Sequence, residues 1–197
     1  MPAIDINLLK AAATVCGKEE TRYYLNGVCV DARVDDITCV ATDGHRIAAF
    51  NDKATWDEGE EPTPFVIIIP SEIVAEIKIF KPVPYGTITP AADGKYLLQY
   101  CGRDYLFRPI DATFPDWRRI IPNGVNGETA QFNPRYLADF GKIAKALGDK
   151  EGRVCVYHNG LSPAPVYFPG VDGVSYVCAV MPHRLSAPEY ERPDWTK

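Results

Sequence analysis

Three stretches of the chain open alike: a short apolar run, a helix-start residue, then an amphipathic segment. The runs are Ala3-Ile4-Asp5-Ile6, Phe65-Val66-Ile67-Ile68-Ile69 and Thr129-Ala130-Gln131-Phe132, with Ile6, Ile69 and Phe132 recurring every 63 residues. Asn7 before Leu8, Ser71 after Pro70, and Asn133 ahead of Pro134 read as helix starts, proline being suited to the first helical position. The helical period predicts helices over residues 8–16, 72–80 and 134–147, the third with Leu137, Phe140, Ala144 and Leu147 on one face. Gly17 and Gly148 are expected stops.

After each helix the pattern alternates, with turn residues spaced as in successive hairpins. The expected turns are Asp35-Asp36 and Asp43-Gly44 in the first unit, Asp93-Gly94 and Gly102-Arg103 in the second, and Asn159-Gly160 and residues 170–173 in the third. Each unit therefore reads β-α-β-β-β, an α+β chain of three repeats with helices on one face of antiparallel sheets. The units span residues 1–64, 65–122 and 123–185, with a tail at 186–197 and polar connections at 57–62 and 123–128. One such unit cannot bury its own apolar sheet face, so units must pair. Three is an odd number, and the open strand edge of the third unit is expected to seek another chain.

The chain has 197 residues, 46% of them hydrophobic and 24% charged, enough for a core without disulfide or metal staples. Against 21 Lys and Arg stand 26 Asp and Glu, a net charge of -5, so contact with a polyanion requires a segregated patch. The longest apolar run, Phe65 to Ile69, is far short of the ~20 residues that cross a bilayer, so no membrane association is expected. Residues 1–10 lack the basic, apolar and small-residue succession of an export signal, and the expected location is the cytoplasm. Six cysteines, at 16, 29, 39, 101, 155 and 178, form no C-x-x-C pair and read as small core residues. Neither they nor His45, His158 and His183 have metal-ligand spacing, so no metal is expected.

Four segments stand out together: Arg22-Tyr23-Tyr24-Leu25-Asn26-Gly27, Ala41-Thr42-Asp43-Gly44-His45-Arg46, Phe114-Pro115-Asp116-Trp117-Arg118-Arg119-Ile120-Ile121-Pro122, and Met181-Pro182-His183-Arg184-Leu185. In this order they resemble the bacterial DNA polymerase III β subunit, the sliding clamp family. The resemblance implies a DNA clamp fold. The family's chain carries six β-α-β-β-β units in three domains, and two chains close a ring of twelve. By motif order, residues 1–122 resemble the family's middle domain and residues 123–185 the second half of its last domain.

The resemblance also implies two functional surfaces. A peptide pocket for a DNA polymerase or repair protein maps onto Arg22, Leu25, Thr42, Gly44, His45, Arg46, Ile47, Pro122, Asn133, Tyr136, Val180, Met181, Pro182 and Arg184. Such a pocket suits a Leu or Phe anchor, with His, Arg and Asn holding the peptide backbone. His183 stands where the family usually has methionine, making one wall more polar, and the tail with Tyr190 and Trp195 is expected to cover the cleft. Double-stranded DNA is the second partner: Tyr23 and Tyr24 match the family's DNA-contacting loop, while also reading as packed aromatics at a strand start. A clamp loader is a further implied partner.

Charge placement is consistent with this. Lys10, Lys18, Lys78, Lys81, Arg135, Lys142 and Lys145 lie on helical segments or their ends, against Glu72, Glu76 and Asp139. Lys10, Thr14 and Lys18 recur every four residues, as on one helix face. An ordinary solvated face gives the same pattern. Four copies of three units would complete twelve, so a homotetramer is expected, with a dimer as the smaller alternative. The functional alternative is a clamp-derived module that binds clamp-binding peptides without encircling DNA.

Catalysis has little support. Asp43-Gly44 reads first as a type I′ hairpin turn, and a Cys16 or Cys39 nucleophile with His45 would need geometry the sequence does not specify. Gly86, Gly94 and Gly102 match no nucleotide-binding motif, so no cofactor is expected. Phe114 and Trp117 are expected to pack between units.

Overall fold

The computed structural model describes residues 2–184 except 57, 58, 60 and 81, together with residue 195. The first unit comprises β1 (Ala3–Asp5), α1 (Ile6–Ala13), β2 (Gly27–Ala32), β3 (Asp36–Thr42) and β4 (Arg46–Lys53). The second comprises β5 (Phe65–Pro70), α2 (Ser71–Glu76), β6 (Tyr85–Pro90), β7 (Tyr96–Tyr100) and β8 (Arg103–Phe107). The third has α3 (Pro134–Ala146), β9 (Cys155–Val156), β10 (Ala164–Tyr167) and β11 (Ser175–Val180). Its opening run forms no strand; Gln131 makes a single bridge with His183.

The helix ends differ from the sequence expectation for local reasons. The Asp5 carboxylate accepts the Asn7 backbone N–H at 2.7 Å, so α1 starts two residues early and Ile6 is helical, out of register with Ile69 and Phe132. Pro70, not Ser71, precedes the first turn of α2, and that helix stops at Glu76 because Ile77 is extended and buried. Only α3 follows its expected span, with Asn133 Oδ1 accepting the Arg135 N–H at 3.0 Å and Gly148 at φ 110° ending it.

Two antiparallel sheets result, ordered β1-β6-β7-β8 and β5-β2-β3-β4-β11-β10-β9. The opening strands are exchanged: β1 pairs with β6 of the second unit, and β5 with β2 of the first. Each unit thus completes the other's sheet. The third unit joins along its last strand, β11, which pairs with β4 from Ser175↔Asn51 to Val180↔Arg46. The edge expected to remain open on the third unit is therefore largely used within the chain, leaving it only the two-residue β9.

One core lies between the sheets and the helices. It holds α1 through Ile6 and Leu9, with Val15 just beyond the helix, and α3 through Phe140 and Ile143, against Phe50, Phe168 and the β2 valines. Phe140 and Phe168 are fully buried with ring centroids 6.3 Å apart. Phe140 and Ile143 of α3 each add about 1.5–3 kcal/mol of burial to this core, beside six β4–β11 residue pairs at about 0.2–1 kcal/mol each, so helix packing and strand pairing both attach the third unit. On the opposite face of the seven-stranded sheet, Ile110, Phe114, Trp117 and Ile121 pack over Cys29, Val40, Ile47, Ile68 and Ala179. Phe114 and Trp117 therefore strap a surface built from all three units. Cys29, Cys39 and Cys178 are buried in the expected manner, whereas Cys101 and Cys155 are exposed.

Lys10 has a structural task. Its Nζ donates to the Val74 and Ala75 carbonyls at 3.1 and 3.4 Å and to the Ile77 carbonyl, closing the C-terminal end of α2. Burial lowers its pKa below the usual lysine value. Lys10→Met keeps the stem and removes the donors, so urea melts should show a loss of about 1–3 kcal/mol. An unchanged midpoint contradicts the capping role.

Candidate functional site

The seam between the first and third units carries the cleft. At its mouth the chain turns from β3 into β4 through Asp43, Gly44 and His45. Asp43 Oδ1 accepts the backbone N–H groups of His45 and Arg46 at 2.9 and 3.1 Å, and Thr42 Oγ1 accepts that of Gly44 at 3.0 Å. Only Gly44, at φ 87°, has the left-handed backbone, so this is a side-chain-braced loop and not the type I′ turn expected from Asp-Gly. A Cβ at Gly44 would stand 2.6 Å from Arg22 Nη1.

The loop is tied to both units. The His45 carbonyl accepts the Met181 N–H at 2.7 Å, extending the β4–β11 pairing, and the His183 N–H donates to the Gln131 carbonyl at 2.7 Å. Arg46 is central: its Nε donates to Asp43 at 3.1 Å and its Nη1 to Asp139 on α3 at 2.6 Å. Its guanidinium lies 4.6 Å from the Tyr136 ring centre, and the His45 ring stacks on Tyr136 at 5.9 Å. With 9% of its side chain exposed, Arg46 is a bridge between units rather than a free peptide ligand.

Two clefts meet at His45 and Arg46. One, of about 190 Å³, is lined by Thr42, Gly44, Ile47, Val180 and Met181, with Ile120 and Pro163 completing its apolar wall. The other, of about 390 Å³, is lined by Arg22, Leu25, Asp43 and Tyr136, with Cys16, Lys18 and Glu19. Of the expected pocket residues, Pro122, Asn133, Pro182 and Arg184 line neither. Asn133 instead caps α3, and Arg184 is exposed. Pro163 carries no local signal; it reaches the cleft because the next residue, Ala164, pairs with Val180. Residues 185–194, 196 and 197 lie outside the described residues, and with them the expectation that the tail covers the cleft.

Cys16 lies beside His45, but burial, and then the Asp43 charge, pushes its thiol up to about 12, which leaves no thiolate for nucleophilic chemistry near neutral pH. Burial also pushes the Cys39 thiol up. Both groups invoked in the catalytic alternative are therefore poor nucleophiles.

The expected DNA-contacting residues divide. Tyr23 is exposed and Tyr24 half-buried, packed edge to face at 6.1 Å. Lys18, Lys78, Arg135 and Lys145 are exposed. Lys142 donates to Asp139 Oδ1 at 2.6 Å, Lys10 is committed to α2, and Lys81 is outside the described residues. Since α1 ends at Ala13, Lys18 is not on that helix, although it still lines one shallow cleft with Lys10 and Thr14.

The family model for the DNA polymerase III beta subunit, central domain, matches residues 6–116, more than half of the sequence. The chain belongs to the DNA polymerase III β subunit family. Among its relatives are the beta sliding clamps of Treponema pallidum, 29% identical over 127 residues and covering 62% of this chain and 33% of that one, and of Caulobacter vibrioides, 32% identical over 129 residues and covering 61% and 34%. The chain spans about a third of the length of these curated relatives in the matched region. The crystal structure of the Streptococcus pyogenes β subunit superposes with a TM-score of 0.71 at 16% identity, covering 94% of this chain and 66% of that one. The Bartonella birtlesii sliding clamp bound to griselimycin gives 0.69 at 21%, covering 93% and 65%. The clamp fold therefore extends over nearly the whole of this chain.

Arg46 and Asp139 give the seam a pH dependence. Burial raises the Asp139 pKa, but hydrogen bonds from Lys142 and Arg46, with their charges, outweigh it and hold the carboxyl below the usual 3.8. A depressed carboxyl stabilises the fold above its unfolded pKa and loses that contribution as pH falls through the folded value. Asp139→Asn should therefore be less stable at neutral pH and lose less stability than wild type as pH falls below the usual carboxylate range in urea melts. Parallel profiles contradict the bridge. Arg46→Ala, which removes the guanidinium shared by Asp43 and Asp139 and leaves Asp139 only Lys142, should cost about 2–4 kcal/mol at pH 7.

Proposed function

We propose that this chain is a reduced sliding clamp, a non-catalytic cytoplasmic processivity factor whose copies encircle duplex DNA and tether a DNA polymerase or repair protein through the His45–Met181 cleft. The observation that carries this reading is the continuous seven-stranded sheet: β4 and β11 join two units edge to edge while α1 and α3 pack on the same side of it. An arc built this way puts helices inside and sheet outside. Residues 1–122 act as a complete two-unit domain and residues 123–185 as a half-domain. Four chains of three units supply twelve units for a ring, whereas two supply six.

A ring resists loss from DNA because it must open or reach an end, so individual phosphate contacts need only be weak and mobile. Lys18, Lys78, Arg135 and Lys145 supply such contacts, with Tyr23 and Tyr24 beside them. The cleft suits an extended peptide with an apolar anchor: Ile47, Val180 and Met181 receive the side chain and His45 lies at the rim. A clamp loader would be needed wherever the ring does not assemble directly on DNA.

Retention on nicked circular DNA tests encirclement. The clamp should stay on the circle and be lost on linearisation, whereas a peptide-binding module without a ring shows no dependence on circularity. For the cleft, His45→Ala combined with Met181→Ala should weaken binding of a peptide carrying Gln-Leu and a Phe anchor by at least ~2 kcal/mol in fluorescence anisotropy. Equal affinity would remove the cleft from the account.

A further inference from the structure

Each unit ends its meander on a last strand: β4 in the first, β8 in the second, β11 in the third. Two of these three pair with each other, β4 with β11, antiparallel over six residue pairs. The odd one out is β8. It has β7 on one side and, among the described residues, no strand on the other.

The outer strands β1 and β5 each carry a backbone bond on the free side. The free side of β1 is met where the Ala3 N–H donates to the Thr55 carbonyl at 2.9 Å, and that of β5 where the Ile110 N–H donates to the Ile68 carbonyl at 2.9 Å. The remaining outer strand, β9, is two residues long. Among the described residues, β8, with five residues, has no backbone hydrogen bond on its free side.

Its outward groups follow from the turn before it. Cys101 and Gly102, at φ 49° and 70°, form a two-residue turn with both central residues left-handed, which makes Tyr100 and Arg103 a hydrogen-bonded pair. By alternation Arg103, Tyr105 and Phe107 bond to β7, while the N–H and C=O groups of Asp104 and Leu106 face outward. Leu106 is 55% exposed, and beyond the strand Ile79 and Phe80 are 41% and 54% exposed beside Arg103 and Lys78. At the β4–β11 seam the equivalent place is filled by helix packing, α1 against α3.

We propose that β8 pairs antiparallel with β8 of a second copy of this chain, on a true two-fold axis, with Leu106, Ile79 and Phe80 of both copies buried at the junction. The occupant is a second copy because the seam already present joins two last strands, and the unused last strand has as its counterpart the identical strand in another molecule. Antiparallel pairing is self-complementary, as a two-fold interface requires. This rests on the self-association proposed above and names its surface. One such junction joins two chains, and a closed ring needs a second kind of junction through the third unit.

Leu106→Pro removes one outward N–H without touching the bonds to β7. Leu106→Lys keeps the backbone and puts two like charges near the axis. Sedimentation velocity of the full chain across micromolar concentrations should show self-association weakened by about tenfold or more in both variants, with thermal melts and peptide binding close to wild type. If Leu106→Pro does not fold, Leu106→Lys decides. Undiminished association in a folded variant overturns this surface and leaves the ring reading standing, whereas a wild-type chain that stays monomeric overturns both.

Discussion

The arrangement depends on the pairing of β4 with β11, locked by Arg46. Strand pairing brings Met181 beside His45, and Arg46 carries the connection to α3 through Asp139 and the Tyr136 ring. Without the seam, the third unit would be a helix and three short strands with no partner for its sheet. With it, one sheet carries strands of all three units, and the cleft has walls from the first and the third. The cleft and the seam thus share a single constraint.

The guanidinium of Arg46 is nearly buried between two carboxylates, an arrangement that is costly to break on one side only. Its value here is registry: it fixes how far α3 stands from the β3–β4 loop, and so how wide the cleft is. His45 is positioned by the same group of contacts but remains exposed, which divides the roles of two adjacent residues. Lys10 illustrates a similar division among the basic residues, since it serves α2 while Lys18 remains exposed.

Much of this was legible in the sequence, and the limits have physical causes. The helix α3 could be read because its cap, its proline and its glycine stop agree with the apolar period. The start of α1 was misplaced because Asp5 and Asn7 are both good caps and only the fold selects the first. The exchange of β1 and β5 was hidden, since an apolar run says that a strand is buried and nothing about its neighbour. Cys101 reads as a strand residue until the two-residue turn places it outside. At the cleft, His45, Arg46 and Met181 were identified through the motif resemblance, whereas Pro163 and Ile120 arrive through long-range contacts that leave no local trace. The commitments of Arg46 and Lys10 were invisible for the same reason.

The central claim is that short arcs with helices on their concave side join into a circle. Electron microscopy of the purified full chain tests it most directly. The account predicts ring-shaped particles of four chains with a central hole wide enough for duplex DNA and helices facing it. Particles that remain single arcs or solid compact bodies at every concentration, with no hole, would contradict it.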